Sequence, residues 1–406
     1  MSLLATRGLR SLQNRNFRLF FAGHAVSIIG TWMQRVAQDW LVLQLTGSAV
    51  AVGVAFSLQF VPTLLFGLYS GVLVDRVDRR RILLATQAAS GVLAALLAVL
   101  VVTDRVELWM VYALALALGF VTVVDTPTRQ AFVAELVGPE SYVNGQALTS
   151  TVHNGGRLIG PAVAGLVIAE YGAGVAFAAN AVSFVAVLWG LLLIDSGELR
   201  EAPKAPRGRG QVREGLRYVY DHPELRACVV LVAVVALFGQ NFRVVLPVLA
   251  QDTFHGGAET YGWLTSALGV GAVAGAFATA WSERVTSWGL LLSAIAFGVT
   301  NLVVGVAPVL ALALLAMVAV GVANIVFNTL ARTLLQLGTA PSMHGRVMAL
   351  HAFVFLGTTP IGGPLLGWVC EQWGPRAGLF VGGATALLAA ATVWPQLRRV
   401  RTGPAG

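Results

Sequence analysis

The sequence predicts an all-α membrane protein of twelve transmembrane helices, arranged as two pseudo-symmetric six-helix bundles. Three observations predict it. The chain of 406 residues is 57% hydrophobic and 11% charged, with a mean hydropathy of +0.76, whereas a soluble domain is about 25% charged. Too little polar material is present to cover a water-facing surface. The length divides into about twelve apolar runs of about 20 residues, the span a 30 Å hydrocarbon core demands. The second half, finally, repeats landmarks of the first.

Taken in order, the runs are 17–45, 49–74, 82–102, 108–130, 144–169 and 175–194, then 226–250, 260–281, 287–306, 309–335, 346–370 and 377–396. The first begins like a signal peptide, basic and then apolar, but it continues through Leu45 without a small-residue cleavage site, so it is expected to be a retained span. Residues 1–197 form the first bundle, 198–225 a linker and 226–406 the second bundle. In the linker, Pro203, Pro206, Gly208 and Gly210 mark a flexible joint. Beyond them Val212, Leu216 and Val219 fall on one helical face and Arg213, Glu214 and Arg217 elsewhere, the pattern of a helix lying on a membrane surface.

The net charge of +8 is placed as an orientation signal rather than as a nucleic-acid footprint. Arg7, Arg10, Arg15 and Arg18, the loop arginines Arg76, Arg79, Arg80 and Arg81, the linker and the tail residues Arg398, Arg399 and Arg401 all fall on one face. The opposite face has little beyond Arg105 and Arg376. By the positive-inside rule the crowded face is cytoplasmic, with both termini on it. Such a chain is expected in a cell (inner) membrane as a multi-pass protein.

The internal repeat rests on two marks. Arg129 stands 31 positions before Gly160 and Arg332 stands 31 before Gly363, so one offset of 203 superposes both. Proline follows each glycine, as Pro161 and Pro364. Two such halves with a substrate site between them near the midplane is a recurrent plan of secondary transporters.

The second loop carries Gly71, Asp75, Arg76, Asp78, Arg79, Arg80 and Arg81. This resembles the G-x-x-x-D-R-x-G-R-R/K loop of the major facilitator superfamily, with Asp78 where the family has glycine. The fifth span, with Gly156, Gly160, Pro161 and Gly165, resembles in part a glycine-proline motif that the superfamily associates with exporters. Asn16, Phe17 and Arg18, the stretch from Gly30 to Trp40, the stretch from Asp125 to Gln130 and that from Glu214 to Arg226 are similar to the drug and siderophore exporter branch. The resemblance implies the major facilitator fold, a small amphipathic drug- or siderophore-like cargo, and efflux by antiport with protons. It makes Gly71, Asp75, Arg76 and Arg79, with Asp125, Arg129 and Arg332, a conformational gate. Independently of any family, Gly156 and Gly160 make a small-x-x-x-small packing face, and Pro161 removes one backbone bond, so that Gly160, Pro161, Gly363 and Pro364 are expected helix bends.

Charges within the bilayer are expensive and kept for function or pairing. Arg35 and Asp39, four apart in the first span, share a helical face. Proton coupling needs a group that changes charge; Asp39 is read as the only acid well inside a span, followed by His24 and His153, since histidine titrates near neutrality. Arg35, Trp40, Gln38, Gln59, Arg157, Gln240, Asn241, Arg243, Asn324 and Asn328 are the expected lining of the substrate path. With Arg35, Arg157 and Arg243 against Asp39, an anionic or neutral cargo fits better than a dication.

Several classes fall away. The one lysine, Lys204, does not follow a phosphate-binding glycine loop, no His pair has zincin spacing and no Cys-x-x-Cys occurs, so no cofactor, metal or enzymatic activity is expected. A small molecule, protons and the lipid bilayer are the expected partners, nucleic acid is not, and the chain is expected to be a monomer. A proton-independent facilitator or importer on the same fold, and a membrane sensor or scaffold, remain the alternatives.

Overall fold

A computed structural model describes residues 9–200, 211–282, 285–341 and 343–399, with the side chains of 68–73, 75–76, 211–213 and 398–399 outside that description. The first half contains α1 (Arg15–Thr46), α2 (Ala49–Arg76), α3 (Arg79–Val102), α4 (Leu108–Val137), α5 (Tyr142–Tyr171) and α6 (Ala173–Leu192). A short helix, α7 (Gln211–Asp221), precedes α8 (Pro223–Thr253), α9 (Ala258–Ser282), α10 (Ser287–Val306), α11 (Leu310–Leu337), α12 (His344–Trp373) and α13 (Pro375–Arg399). Among the described residues there is no strand.

Ten of these helices are long and apolar enough to cross a membrane. The other two long ones are α1, of 32 residues, and α5, of 30. They span by length but are the less apolar pair, because they carry His24, Arg35, Asp39, His153 and Arg157. The helices that depart from a greasy composition are thus the ones that bring charge inside.

By compactness the chain divides into two units, Met1–Leu45 with Leu58–Pro206, and Thr46–Ser57 with Arg207–Gly406. In the first unit Phe17, Phe20, Leu83, Phe132, Val133, Leu136 and Leu191 form one buried cluster, with Phe20 edge-on to Phe132 at 5.8 Å. Asn16 clamps the end of this unit by exchanging two hydrogen bonds of 3.0 Å with the backbone of Asp195. In the second unit α9 packs against α11 across glycines. A Cβ on Gly271 would collide with the carbonyl oxygen of Val318 and stand 2.9 Å from the Cα of Gly321, so the two backbones touch.

The first turns of α2 belong to the second unit. There a Cβ on Gly53 would stand 2.5 Å from the carbonyl oxygen of Gly363, and one on Gly367 2.5 Å from that of Ala49. Glu371 Oε1 accepts from the Val50 amide at 3.0 Å and from the Ser48 hydroxyl, satisfying one of the amides that the start of α2 leaves open. The division of α2 falls between Ser57 and Leu58, four residues ahead of Pro62, whose absent N–H leaves the Leu58 carbonyl without its helical donor.

Three helices differ from the apolar runs. The α4 helix continues to Val137 rather than closing near residue 130, because the polar stretch after Arg129 still carries Phe132, Val133 and Leu136 into the core. The seventh span is interrupted: a wide π-turn at Val235–Gly239 runs into a break at Gln240 and Asn241, and a second π-turn, Leu249–Thr253, follows the helical stretch Phe242–Val248 and closes the span. Asn241 Nδ2 donates to the Leu237 carbonyl at 2.7 Å and so replaces a backbone donor lost there. In α12 the interruption falls at Thr358, just ahead of Pro360, one turn before Gly363 and Pro364, while helix α5 runs unbroken through Pro161. Helix α7 docks on the start of α12, through a Glu214–Arg346 ion pair of 3.0 Å and an Ala340 amide that donates to the Tyr218 hydroxyl at 3.2 Å. Of its three apolar positions, Val219 is buried and Leu216 56% exposed, while the Val212 side chain lies outside the described residues.

Candidate functional site

Asp125 is a densely bonded charged group inside the first unit. Its helix, α4, runs twelve residues beyond it to Val137, about 18 Å at the helical rise. Asp125 is therefore well inside a helix and buried, and Asp39 is not the only interior acid. Thr86 Oγ1 donates to Asp125 at 2.8 Å and Gln87 Nε2 at 2.6 Å, both from α3. Arg129, one turn on, closes an ion pair with the other carboxylate oxygen. Its second arm reaches His24 Nδ1 on α1 at 2.9 Å. A guanidinium offers only donors, so Nδ1 is the accepting nitrogen and this His24 is a neutral ring with its proton on Nε2. One of the residues read from sequence as a gate, and one read as a proton carrier, are thereby joined through a single arginine. Thr86 and Gln87 were not singled out by the sequence, although two polar side chains in an otherwise apolar span were the available signal.

A second group lies where α1 meets α5. Gly156 and Gly160 leave a groove that Trp32 fills: a Cβ on Gly160 would stand 2.5 Å from Trp32 Cβ, and one on Gly156 3.2 Å from Trp32 Cδ1. Arg35 stacks on the indole at 4.5 Å and the His153 ring meets it edge-on at 5.9 Å. The buried indole Nε1 has no hydrogen-bond partner. Arg35, Arg129 and Arg157 all act electrostatically on His153. Asp39 and Trp40 are buried in α1, at 0% and 5% exposure. Nearby, Gln38 is also buried, and its Oε1 accepts from Gln59 Nε2 at 3.1 Å. Gln34 accepts from Asn180 of α6 at 2.5 Å.

In the second unit the predicted path residues form an amide chain. Asn328 Nδ2 donates to the Asn324 side chain at 2.8 Å and Gln240 Nε2 to Asn328 Oδ1 at 3.4 Å. Arg243 lies over the Phe56 ring at 4.6 Å. Asn328 is the repeat partner of Asp125, so Arg332, the counterpart of Arg129, has asparagine where its mate has a carboxylate. Arg332 is exposed. The carboxylate–arginine pair of the first copy is thus not repeated at the equivalent positions of the second.

The arginine loop separates into distinct jobs. Arg79 pairs with Glu135 of α4 at 2.5 Å. Arg80 donates to the last carbonyls of α6, from Nε to Leu191 and from Nη2 to Leu192, each at 2.8 Å, closing a helix C-terminus. Asp78, the departure from the motif, is the N-cap of α3: it has φ −54° and accepts from the Arg81 amide at 3.1 Å. No left-handed backbone is present there, so glycine is not required. Asp78→Ala is expected to lower stability by about 1 kcal/mol, read as a small fall in thermal midpoint with transport intact. Gly71, Asp75 and Arg76 lie on α2, but their side chains are outside the described residues.

Comparisons with known proteins agree with this architecture. The chain is 28% identical to the staphyloferrin A transporter of Staphylococcus aureus over 258 residues, covering 63% of this chain and 64% of that protein. It is 26% identical to the enterobactin exporter of Escherichia coli over 401 residues, covering 96% of this chain and 94% of the relative. Solved structures of the same fold include a bacterial homologue of the lysosomal transporter Spinster in an inward-facing, unoccupied conformation, with TM-score 0.74, 14% identity and 96% and 98% of the two chains covered. A POT family transporter in complex with 5-aminolevulinic acid superposes with TM-score 0.76 at 10% identity, covering 95% and 97%. The profile of the transmembrane secretion effectors matches residues 6–403, nearly the whole chain. This multi-pass membrane protein belongs to the transmembrane secretion effector family of the major facilitator superfamily, whose plan is that of a transporter.

Proposed function

We propose that this protein is a secondary exporter of a small amphipathic, siderophore- or drug-like molecule, exchanging it for protons by alternating access of its two six-helix bundles, with the arginine-rich face and both termini in the cytoplasm. The observation that carries this reading is the buried Asp125–Arg129–His24 network on three helices of the first unit. A carboxylate that holds an arginine is a two-state device. When a proton adds to Asp125, the ion pair loses its negative member and Arg129 is released toward His24; when the proton leaves, the pair re-forms. Coupling requires that each state favour a different conformation. Asp39 and His153 are the further candidates on the same unit, and Gly71, Asp75, Arg76 and Arg79 the elements that latch the cytoplasmic ends. The siderophore-like cargo rests on the two relatives named above.

Inside-out vesicles containing the protein, energised by an acid-inside gradient and offered a panel of siderophores and amphipathic dyes, test this. Saturable uptake of at least one compound, accompanied by proton release that a pH dye records, is expected. Uptake unchanged when the proton gradient is collapsed would replace exchange with facilitated diffusion, and uptake of nothing in the panel would remove the export reading.

A further inference from the structure

Resting on that exporter reading, the geometry points to the chemical class of the cargo: we propose that Arg157, with the Trp32 indole N–H and His153, forms a subsite for a carboxylate-type oxyanion on an organic molecule. Arg157 stands in the middle of α5, fifteen residues from Tyr142 and fourteen from Tyr171, roughly 22 Å from each end. A cation at that depth costs several kcal/mol unless something answers it. Among the described residues its guanidinium has no hydrogen bond and no ion pair. Yet part of its surface is reachable, so a ligand can approach it.

The neighbourhood is one-sided in the same sense. The charges that act on His153, one turn before Arg157, are three arginines. Trp32, seated against Gly156 beside Arg157, keeps an N–H that is buried and unanswered. The oxygens of Asp125, an interior acid of this unit, are already taken by Thr86, Gln87 and Arg129. Asp39, the acid of α1, lies two turns on from Trp32, so the groups gathered around His153 and the indole N–H are donors and positive charges. A carboxylate supplies the acceptors and negative charge that answer them, since its two oxygens match the planar fork of a guanidinium and leave a lone pair for the indole donor. A cationic cargo would add to the positive excess, and a neutral one would leave Arg157 unanswered.

Three probes of one shape and different charge isolate this property: 1-naphthoate, 1-naphthylmethanol and 1-naphthylmethylammonium, titrated calorimetrically into the full-length protein in nanodiscs. Wild type is expected to bind naphthoate at least about tenfold more tightly than the alcohol, and the ammonium not at all. Arg157→Gln should weaken naphthoate at least about tenfold, Arg157→Lys should retain part of the affinity because its charge remains, and Trp32→Phe should lose about threefold or more. The lysine variant carries the test if the glutamine variant does not fold. Equal naphthoate affinity in wild type and Arg157→Gln, ammonium binding as tight as naphthoate, or no saturable naphthoate binding to wild type would each overturn the subsite. Proton-driven flux of a cationic dye together with failed naphthoate binding would leave the exporter standing and remove the anion subsite. Specific naphthoate binding without proton-driven flux of any compound would do the reverse.

Discussion

Asp125→Asn is expected to reduce proton-driven transport by about a hundredfold while the protein still reaches the membrane. The carboxylate accepts from Thr86, Gln87 and Arg129, and hydrogen bonds to a charged group contribute about 1.5–3 kcal/mol each. Asparagine keeps the oxygen that Thr86 and Gln87 share but turns an amide toward Arg129, so it loses the ion pair and sets two donors against each other. Roughly 3 kcal/mol in the balance between two conformations is more than two decades in their ratio. The measurement is proton-coupled flux in vesicles at matched protein content, with Asp39→Asn beside it. Thr86→Val and Gln87→Leu should each give smaller losses, of about tenfold, because each removes one donor and leaves the charge. Wild-type coupling in Asp125→Asn with loss in Asp39→Asn would transfer the role to α1.

Gly271→Val should be the most damaging single change to stability outside the charged network. Its Cβ would occupy the space of the Val318 carbonyl oxygen, and a Cβ on Gly321 would meet the Leu268 carbonyl in the same way. Both obstacles are backbone, so no rotamer change relieves them and the helices must part along their whole contact. Overpacking of a tight core costs about 1–3 kcal/mol for added methylenes, and a rigid branched side chain between two backbones belongs at or above the top of that range. The thermal midpoint in detergent should fall clearly. Gly155→Val is the matched control, since a Cβ there meets nothing within 4 Å; an equal fall in both would show a propensity effect rather than a steric one.

Much of the architecture was legible because bilayer-spanning segments announce themselves by length and apolarity. The runs located the twelve spans, and the offset of 203 found the repeat. The boundaries were less legible where amphipathic chain continued a helix, as in α4, whose polar residues after Arg129 looked like a loop but sit on the outer side of a helix whose inner side holds Phe132 and Leu136. That misplacement hid Asp125 as an interior acid. The i,i+4 spacing did identify Asp125 and Arg129 as a pair, since that relation is local. Their partners Thr86, Gln87 and His24 lie on other helices, and no local pattern reports a contact between residues 38 or 105 positions apart. The role of Asp78 was illegible for a different reason: the resemblance supplied glycine as the expectation, and the backbone there makes no demand that only glycine meets.

Helix α2 has a consequence for how the molecule can move. It is one continuous piece of secondary structure, yet its opening turns go with one compact body and the remainder with the other. The rod thus changes partners partway along its length. The rod is weakest where Pro62 interrupts the ladder at Leu58, and Gly119 of α4 lies against the loosened carbonyls of Leu58 and Gln59 with no side chain to obstruct them. About one helical turn of α2 thereby sets how easily the whole rod bends.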